Sequence, residues 1–418
     1  MKNSYTLMFF LTLVIIFVVL VSTVSFSQDK SIEELYFQGV DLLENKEQYE
    51  EALTCFQQII ESDPNHADAH FQIGRIFSNT HRFEEAIKYY EKAVSLRPDY
   101  SSAYYELGLA YIELQKKVEA LEAFKQAIRN KPDFASAHYG LGLAYHALER
   151  YSESVAAFEQ ALLLAPEDEQ AYYGLGITYE QIGEYQKSID VLEKAVHFQP
   201  NYGKAFYRLG MNYERMEKYP EAIENLEKAA NFLPDSADEI YYTIGMIYRK
   251  MKNYEDAAIE SFKKAVQKNP QYADAFFYLG WLYNEKGYFE KTIEAYQEVI
   301  RINPDYTYVY YNLGWAYGEL GKYQEAVSAF EEAVKQNPED ADAHYGLGWT
   351  YSKLEDYEKA IETFKQVIRI QPDYTYAHYS LGMAYLVQGD RSAALDEYKI
   401  LKNLDQDIAD QLFDMIYK

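Results

Sequence analysis

Three sets of side chains in this sequence are able to do chemistry: eight histidines, a ladder of aromatic residues and three tryptophans. His66 and His70 lie four apart with Asp68 between them, a spacing that puts two metal ligands on one helix face. A zinc site needs three or four protein ligands, and this pair has no third donor at a matching spacing. His70, His138, His344 and His378 recur at one register of a repeating pattern, where Tyr104 stands in another copy. That register is apolar, so a packed, hydrogen-bonded ring is the expectation for all four. His146 faces the other way and His197 stands near a helix end, both without evident partners. The sequence holds no Gly-rich phosphate loop, nucleophile elbow, His-Glu-x-x-His or Ca²⁺-loop spacing. Its carboxylates fall at helical spacing and read as solvated outer faces. No catalytic residue, metal or cofactor is expected.

The aromatic residues carry a stronger pattern. Tyr36, Phe71, Tyr105, Tyr139, Tyr173, Tyr207, Tyr242, Phe277, Tyr311, Tyr345 and Tyr379 occupy one register. Four residues after each stands Val40, Arg75, Leu109, Leu143, Ile177, Met211, Met246, Trp281, Trp315, Trp349 or Met383. An i, i+4 spacing places both members of a pair on the same helix face. The three tryptophans are the only ones in the sequence and recur at 34-residue intervals. Burying such an anchor in a binding hot spot is worth ~2 kcal/mol or more. Tyr308 and Tyr376 lie one turn earlier on that face. Further along it charges mix: Glu113, Gln181, Arg215, Lys250, Glu285, Glu319 and Lys353. Two readings stand open for the ladder, packing between neighbouring repeats and contact with a ligand, and a tyrosine can serve both.

These residues must be held by a repeated element. Prolines 64, 98, 132, 166, 200, 234, 270, 304, 338 and 372 are 34 residues apart, with one interval of 36. A fixed period of this length means a repeat architecture. In the copy from Ser101 to Phe134, Tyr104, Leu107, Gly108 and Tyr111 share one helix face. After a break near Gln115–Lys117, Ala120, Phe124 and Ala127 mark a second helix, which Pro132 stops. Each helix is about 14 residues, roughly 21 Å long. Small residues at Gly108 and Ala120 permit close approach. One such hairpin cannot bury its own faces, so neighbours must stack.

The motif Leu107-Gly108-x-x-Tyr111, Ala120, Phe124, Pro132 resembles the tetratricopeptide repeat. It returns as Leu141-Gly142-x-x-Tyr145 with Phe158 and Pro166, and as Leu313-Gly314-x-x-Tyr317 with Ala326, Phe330 and Pro338. About eleven copies run from Ile32 to about Ala409. The family's first-position Trp is replaced by Tyr104, His138, Tyr172, Phe206, Tyr310 and His344. The resemblance implies an all-α fold, a right-handed superhelical solenoid of antiparallel helix pairs. It also implies that the ladder face lines a concave surface. Some members grip a partner's C-terminal carboxylate with Lys and Asn there. Here Tyr and Phe replace the Lys and only Asn312 echoes the pattern, so that mode of clamping is not expected.

Three regions follow: 1–27, a signal peptide or transmembrane anchor; 28–408, the repeats; 409–418, a capping helix. Leu7–Val21 is an apolar run interrupted only by Thr12, preceded by Lys2 and followed by Ser25 and Ser27. Either fate of this segment sends the rest of the protein out of the cytoplasm. The tail from Asp407 reads as a short helix with Ile408, Leu412 and Met415 on the last apolar face. Two copies depart from the pattern. The first has an extra residue before Tyr49, and the seventh has one before Gly245 and one near Ala257–Ala258. Insertions inside helices predict a bulge or kink. Glu33-Glu34-Leu35-Tyr36-Phe37-Gln38-Gly39 looks like a protease-cleavable tag, yet Gly39 is in register, which makes it native helix.

Lys and Arg number 40 against 66 Asp and Glu, a net charge of −26. That speaks against nucleic acid, which needs a basic footprint, and favours basic partners through steering. The lone Cys55 excludes an internal disulfide. The expected function is a non-enzymatic scaffold, periplasmic, secreted or membrane-anchored, that holds protein or peptide segments for an envelope complex. Self-association and carbohydrate binding are the alternatives. The expected groove comprises Tyr105, Tyr139, Tyr173, Tyr207, Tyr242, Phe277, Trp281, Tyr311, Trp315, Tyr345, Trp349 and Tyr379, with the binding energy centred on the tryptophans.

Overall fold

The computed structural model describes residues 31–45 and 47–418. The expected signal or anchor segment therefore lies outside the described residues. Among those described are 23 α-helices, one short 3-10 turn and no strand. They form eleven consecutive pairs, from Ile32–Glu44 with Tyr49–Ser62 to Thr375–Val387 with Arg391–Leu404, followed by one more helix, Gln406–Tyr417. The protein divides into two compact units, Met1–Pro200 and Asn201–Lys418. No helix among the described residues is long and apolar enough to cross a membrane.

The pair Ser101–Glu113 and Lys117–Asn130 shows why the sequence folds this way. Its first helix buries Ala103, Leu107, Gly108 and Ala110; its second buries Ala120, Leu121, Ala123, Phe124 and Ala127. Between them Lys116 N–H donates to the Tyr111 carbonyl at 2.8 Å, and Gln115 sits at φ 59°. This is a Schellman closure, with one left-handed residue just past the helix end. Among the described residues every pair has one left-handed residue in its turn: Glu47, His81, Gln115, Glu149, Gly183, Glu217, Asn253, Gly287, Gly321, Glu355 and Gly389.

Close approach explains the repeating glycine. A Cβ on Gly108 would lie 2.6 Å from the Phe124 ring, and one on Gly140 of the next pair 2.4 Å from it. Phe124 is completely buried between them. Phe158 stands likewise between Gly142 and Gly174, and Phe330 between Gly314 and Gly346.

The seventh pair corrects the expectation of a kink. One extra residue is taken up by the 3-10 turn Pro234–Ser236, ahead of Ala237–Lys250. The other lengthens the turn before Glu255–Lys268, where Met251 is extended and Asn253 left-handed. An insertion within a helix would rotate every later side chain by about 100° off the apolar stripe, whereas a turn absorbs it locally. The tag-like segment lies within Ile32–Glu44, where Ser31 and Glu34 form a capping box and Gly39 is buried on Phe56. In the final helix Ala409, Leu412 and Ile416 are buried, while Met415 is 43% exposed. The apolar face is therefore turned about one residue from the predicted one.

Candidate functional site

All twelve expected groove residues are half-buried. In six of them, Tyr105, Tyr139, Tyr242, Phe277, Tyr311 and Tyr345, the ring rests on the aromatic residue of its own second helix and, in several repeats, on the one preceding the next first helix. Tyr105 lies 6.0 Å from Phe124 and 5.3 Å from Phe134; Phe277 lies 5.7 Å from Tyr296 and 5.1 Å from Tyr306; Tyr345 lies 5.8 Å from Phe364 and 5.3 Å from Tyr374. Tyr139 meets Phe158, and Tyr242 meets Phe262 and Tyr272. Burial pushes the Tyr105 hydroxyl up to about 12 and raises those of Tyr139, Tyr242 and Tyr311. These phenols stay protonated and act as donors across the physiological range. Tyr173, Tyr207 and Tyr379 hold the same register in their own helices.

The tryptophans all belong to Asn201–Lys418 and do not form one continuous stack. Trp315 and Trp349 touch, with ring centroids 5.2 Å apart. Trp315 stands edge-on to Phe330, and Trp349 to Tyr323. Trp349 also covers Gly318, where an added Cβ would lie 2.8 Å from its indole. Trp281 has a different neighbour, the guanidinium of Arg249, which lies 4.7 Å from its ring centre and 4.3 Å from that of Tyr278.

Trp281, Arg249, Tyr278, Tyr308, Tyr311 and Asn312 border an open cavity of about 360 Å³. On the other side of Tyr308 and Tyr311 lies a second hollow of about 340 Å³, bordered by Asp305, Gln336, Asn337 and Asp340. Tyr308 thus edges both. It is 62% exposed and sits at φ 66°, among the described residues the one with positive φ outside the turns within pairs. A bulky residue in that region is strained. The helix after it, Val309–Glu319, has 11 residues where Thr375–Val387 has 13, because the left-handed step delays its start.

The histidines are placed by their hydrogen bonds. His70, His138, His344 and His378 each set Nε2 against the carbonyl of the proline six residues earlier, at 2.9–3.0 Å. A carbonyl only accepts, so Nε2–H is the donor in all four. His66 caps its helix through Nδ1, which accepts from Ala69 N–H at 3.1 Å. His66 and His70 are thereby committed to different partners. His146 corrects the expectation of a lone ring: its Nδ1 lies 3.0 Å from Thr178 Oγ1. Thr178 Oγ1 donates to the Gly174 carbonyl and Ser154 Oγ to that of Gly142, so neither hydroxyl is activated by the ring. His378 Nδ1 reaches Glu397 Oε2 at 2.6 Å in a nearly closed setting.

Arg249 escaped the sequence reading, which singled out its neighbour Lys250. Lys250 is tied to Glu214 in an ion pair. The signal was present in the column four residues after each motif glycine, which reads Ile112, His146, Glu180, Glu214, Arg249, Asn284, Gly318 and Ser352 across successive repeats. Arg249 is its sole arginine there, and Gly318 in the same column makes room for Trp349.

Comparison with known families matches the tetratricopeptide repeat at residues 37–101, 71–133, 105–162, 139–203, 311–375 and 347–408. A second repeat model, described as TPR repeat, matches 245–287 and 280–321, and another tetratricopeptide repeat model matches 204–236. The protein belongs to the tetratricopeptide repeat family. Among solved structures it is similar to MamA, at 29% identity over 40% of this chain and 97% of that one, with a TM-score of 0.38. It is 26% identical to YrrB, whose structure is described as a TPR protein with an unusual peptide-binding site, over 43% and 93% of the two proteins with a TM-score of 0.38. A subunit of the APC/C hetero-tetramer Cut9–Hcn1 is 14% identical over 96% of this protein and 99% of that one, with a TM-score of 0.40. Comparison with curated protein sequences gives no match.

Proposed function

We propose that this protein is a non-enzymatic scaffold that holds segments of partner proteins against the aromatic face of its first helices, outside the cytoplasm, in an envelope assembly. The observation that carries the reading is the open aromatic cavity edged by Trp281, Tyr308 and Tyr311. Half-buried aromatic rings in a concave setting give a partner's apolar side groups a large contact area at little entropic cost. The right-handed winding of the helix pairs belongs to the same proposal, since it turns that face inward. Export rests on Lys2 and the apolar run Leu7–Val21. Six of the eight histidines hold hydrogen bonds within the repeats, which supports a framework role for them over catalysis.

The test is crosslinked capture from native envelope fractions with the wild type and Trp281→Ala. Trp281 is the better choice because Trp315 and Trp349 also support each other's packing. A protein recovered with the wild type and lost with the variant, at equal helix content, is the expected result. Equal recovery of that protein by both refutes the site. Self-association is a second reading, favoured by the exposed Phe413, Met415 and Tyr417 on the final helix. Sedimentation of a monomer at micromolar concentration would dismiss it.

A further inference from the structure

Each ladder ring stands beside a slot for the residue that precedes the next first helix, and at Tyr311 that slot is left open. Where the slot is closed, a tyrosine fills it and its hydroxyl donates to an aspartate three residues before the ladder ring. Tyr306 lies 5.1 Å from Phe277 and donates to Asp274 at 2.6 Å. Tyr374 lies 5.3 Å from Tyr345 and donates to Asp342 at 2.7 Å. At Tyr311 the two residue types trade places: Tyr308 stands three residues before the ladder ring and Asp340 precedes the next first helix. The exchanged pair does not close. Tyr308 is 62% exposed, and the space that a tyrosine fills elsewhere is the hollow of about 340 Å³ bordered by both residues. None of the residues bordering it is basic, and Asp305 adds a second carboxylate to its rim. One oxygen of Asp340 accepts from Ala343 N–H at 3.0 Å, which leaves the carboxylate capacity for further donors. Asp168 likewise replaces a ring beside Tyr139, but Ser136 stands where Tyr308 does, so that slot lacks the second aromatic wall.

We propose that this hollow receives the side chain of an arginine on a partner segment. The guanidinium would lie against Tyr311 and Tyr308 and direct its fork at Asp340, with Asp305 as the second negative charge. The protein makes this arrangement within itself. Arg97 lies 4.5 Å from the Tyr100 ring centre and donates from both Nη atoms to the two carboxylate oxygens of Asp68. Asp68 stands three residues before the ladder residue Phe71, and Tyr100 fills that slot, 5.0 Å from Phe71. A planar guanidinium can stack on a ring and pair bidentately with a carboxylate, which the compact ammonium of lysine cannot. A purely apolar occupant would strip water from Asp340 without returning a hydrogen bond. Tyr308 edges this hollow and the Trp281 cavity alike. Alternate residues of an extended segment lie roughly 7 Å apart on one side, so an arginine and an apolar residue two positions on can enter both. The inference rests on the reading that the aromatic face binds peptide segments, and it names a residue that such a segment carries.

The test uses the full-length protein and fluorescently labelled peptides with blocked ends, with affinities from anisotropy. The peptides are Gly-Ser-Arg-Gly-Phe-Ser-Gly and its counterparts with lysine or citrulline in place of arginine. Citrulline has nearly the shape of arginine without its charge. The arginine peptide is expected to bind about tenfold or more tightly than the citrulline one, with lysine between them. Asp340→Asn, which keeps a helix N-cap, should erase that preference. Asp133→Asn, which removes an exposed carboxylate elsewhere, should preserve it, and so separates the fork from the general pull of a −26 net charge. Tyr308→Asp combined with Asp340→Tyr restores the closure made by Asp274 and Tyr306, and should also erase the preference at unchanged helix content. If arginine and citrulline peptides bind the wild type equally, the arginine inference fails while the peptide-binding reading stands. A preference that survives Asp340→Asn, or is lost as fully in Asp133→Asn, also overturns it. If no peptide binds the wild type, both fail.

Discussion

The turns within the helix pairs allow backbone strain to be measured eleven times in one molecule. Each has one left-handed residue, glycine in four pairs and a residue with a Cβ in seven. Gly183, Gly287, Gly321 and Gly389 lie at φ 71–85°, and a Cβ on any of them would meet nothing within 4 Å. Neighbouring atoms therefore contribute nothing, and the backbone alone decides. A residue with a Cβ at this φ costs roughly 1–2 kcal/mol, and the greater freedom of unfolded glycine returns about 0.4–1 kcal/mol. The net gain for Glu217→Gly or Glu355→Gly, both near φ 60°, is about 0.5–1 kcal/mol. The two turns are several repeats apart, so the gains should add to about 1–2 kcal/mol. Glutamate at a helix C-terminus also opposes the helix dipole. Glu217→Ala removes that charge but keeps the Cβ, and should recover only the smaller electrostatic share. Conversely Gly321→Ala should lose about as much as Glu217→Gly gains. Urea midpoints read at constant slope give the numbers. A stabilisation by Glu217→Ala equal to that of Glu217→Gly, or a neutral Gly321→Ala, would refute the reasoning.

Three further outcomes are expected. His378 has a raised pKa: burial alone would lower it, but the Glu397 hydrogen bond, the Pro372 carbonyl and the Glu397 charge outweigh burial. Its contribution to stability is complete below the ordinary value of 6.5 and fades as pH rises through the folded-state pKa; amide exchange in Thr375–Val387 should quicken in that range, beyond the general pH effect, and His378→Gln should abolish the excess. His146 behaves in the opposite sense, because burial lowers its pKa; its repeat should lose stability as pH falls below 6.5, a loss absent in His146→Phe. Gly318→Ala forces the Trp349 indole off its neighbour, so the Trp emission maximum should shift red; an unshifted maximum would mean that the ring can yield without exposure.

The sequence displayed the fold through its period. Pro132 and its counterparts mark helix ends, Gly108 marks a close approach, and Phe124 marks the ring that needs it. Such signals repeat, so each copy reinforces the last. The turn residues were less legible, since Gln115, Glu149 and Glu217 have no strong preference for left-handed backbone. The seventh repeat misled because a count locates an inserted residue only between two markers, and Gly245 and Pro270 bracket both a helix and a turn. Tyr308 was visible as a residue type, but its φ follows from where the next helix begins. Arg249 was hidden because a periodic reading rewards what recurs, and this arginine departs from its column.

The aromatic ring lodged between two glycines has an evolutionary consequence. Phe124 touches Gly108 of its own repeat and Gly140 of the next, and Phe158 and Phe330 do the same at theirs. Genetic duplication of a whole 34-residue block would reproduce that junction at both ends, with no new shape to be solved. Duplication of a length that is not a whole number of repeats would break the register between the ring and its two glycines. Recombination between the copies can thus lengthen or shorten this array in whole blocks. The Arg249 repeat, with its two added residues, is 36 residues long and so is not interchangeable in length with the 34-residue blocks.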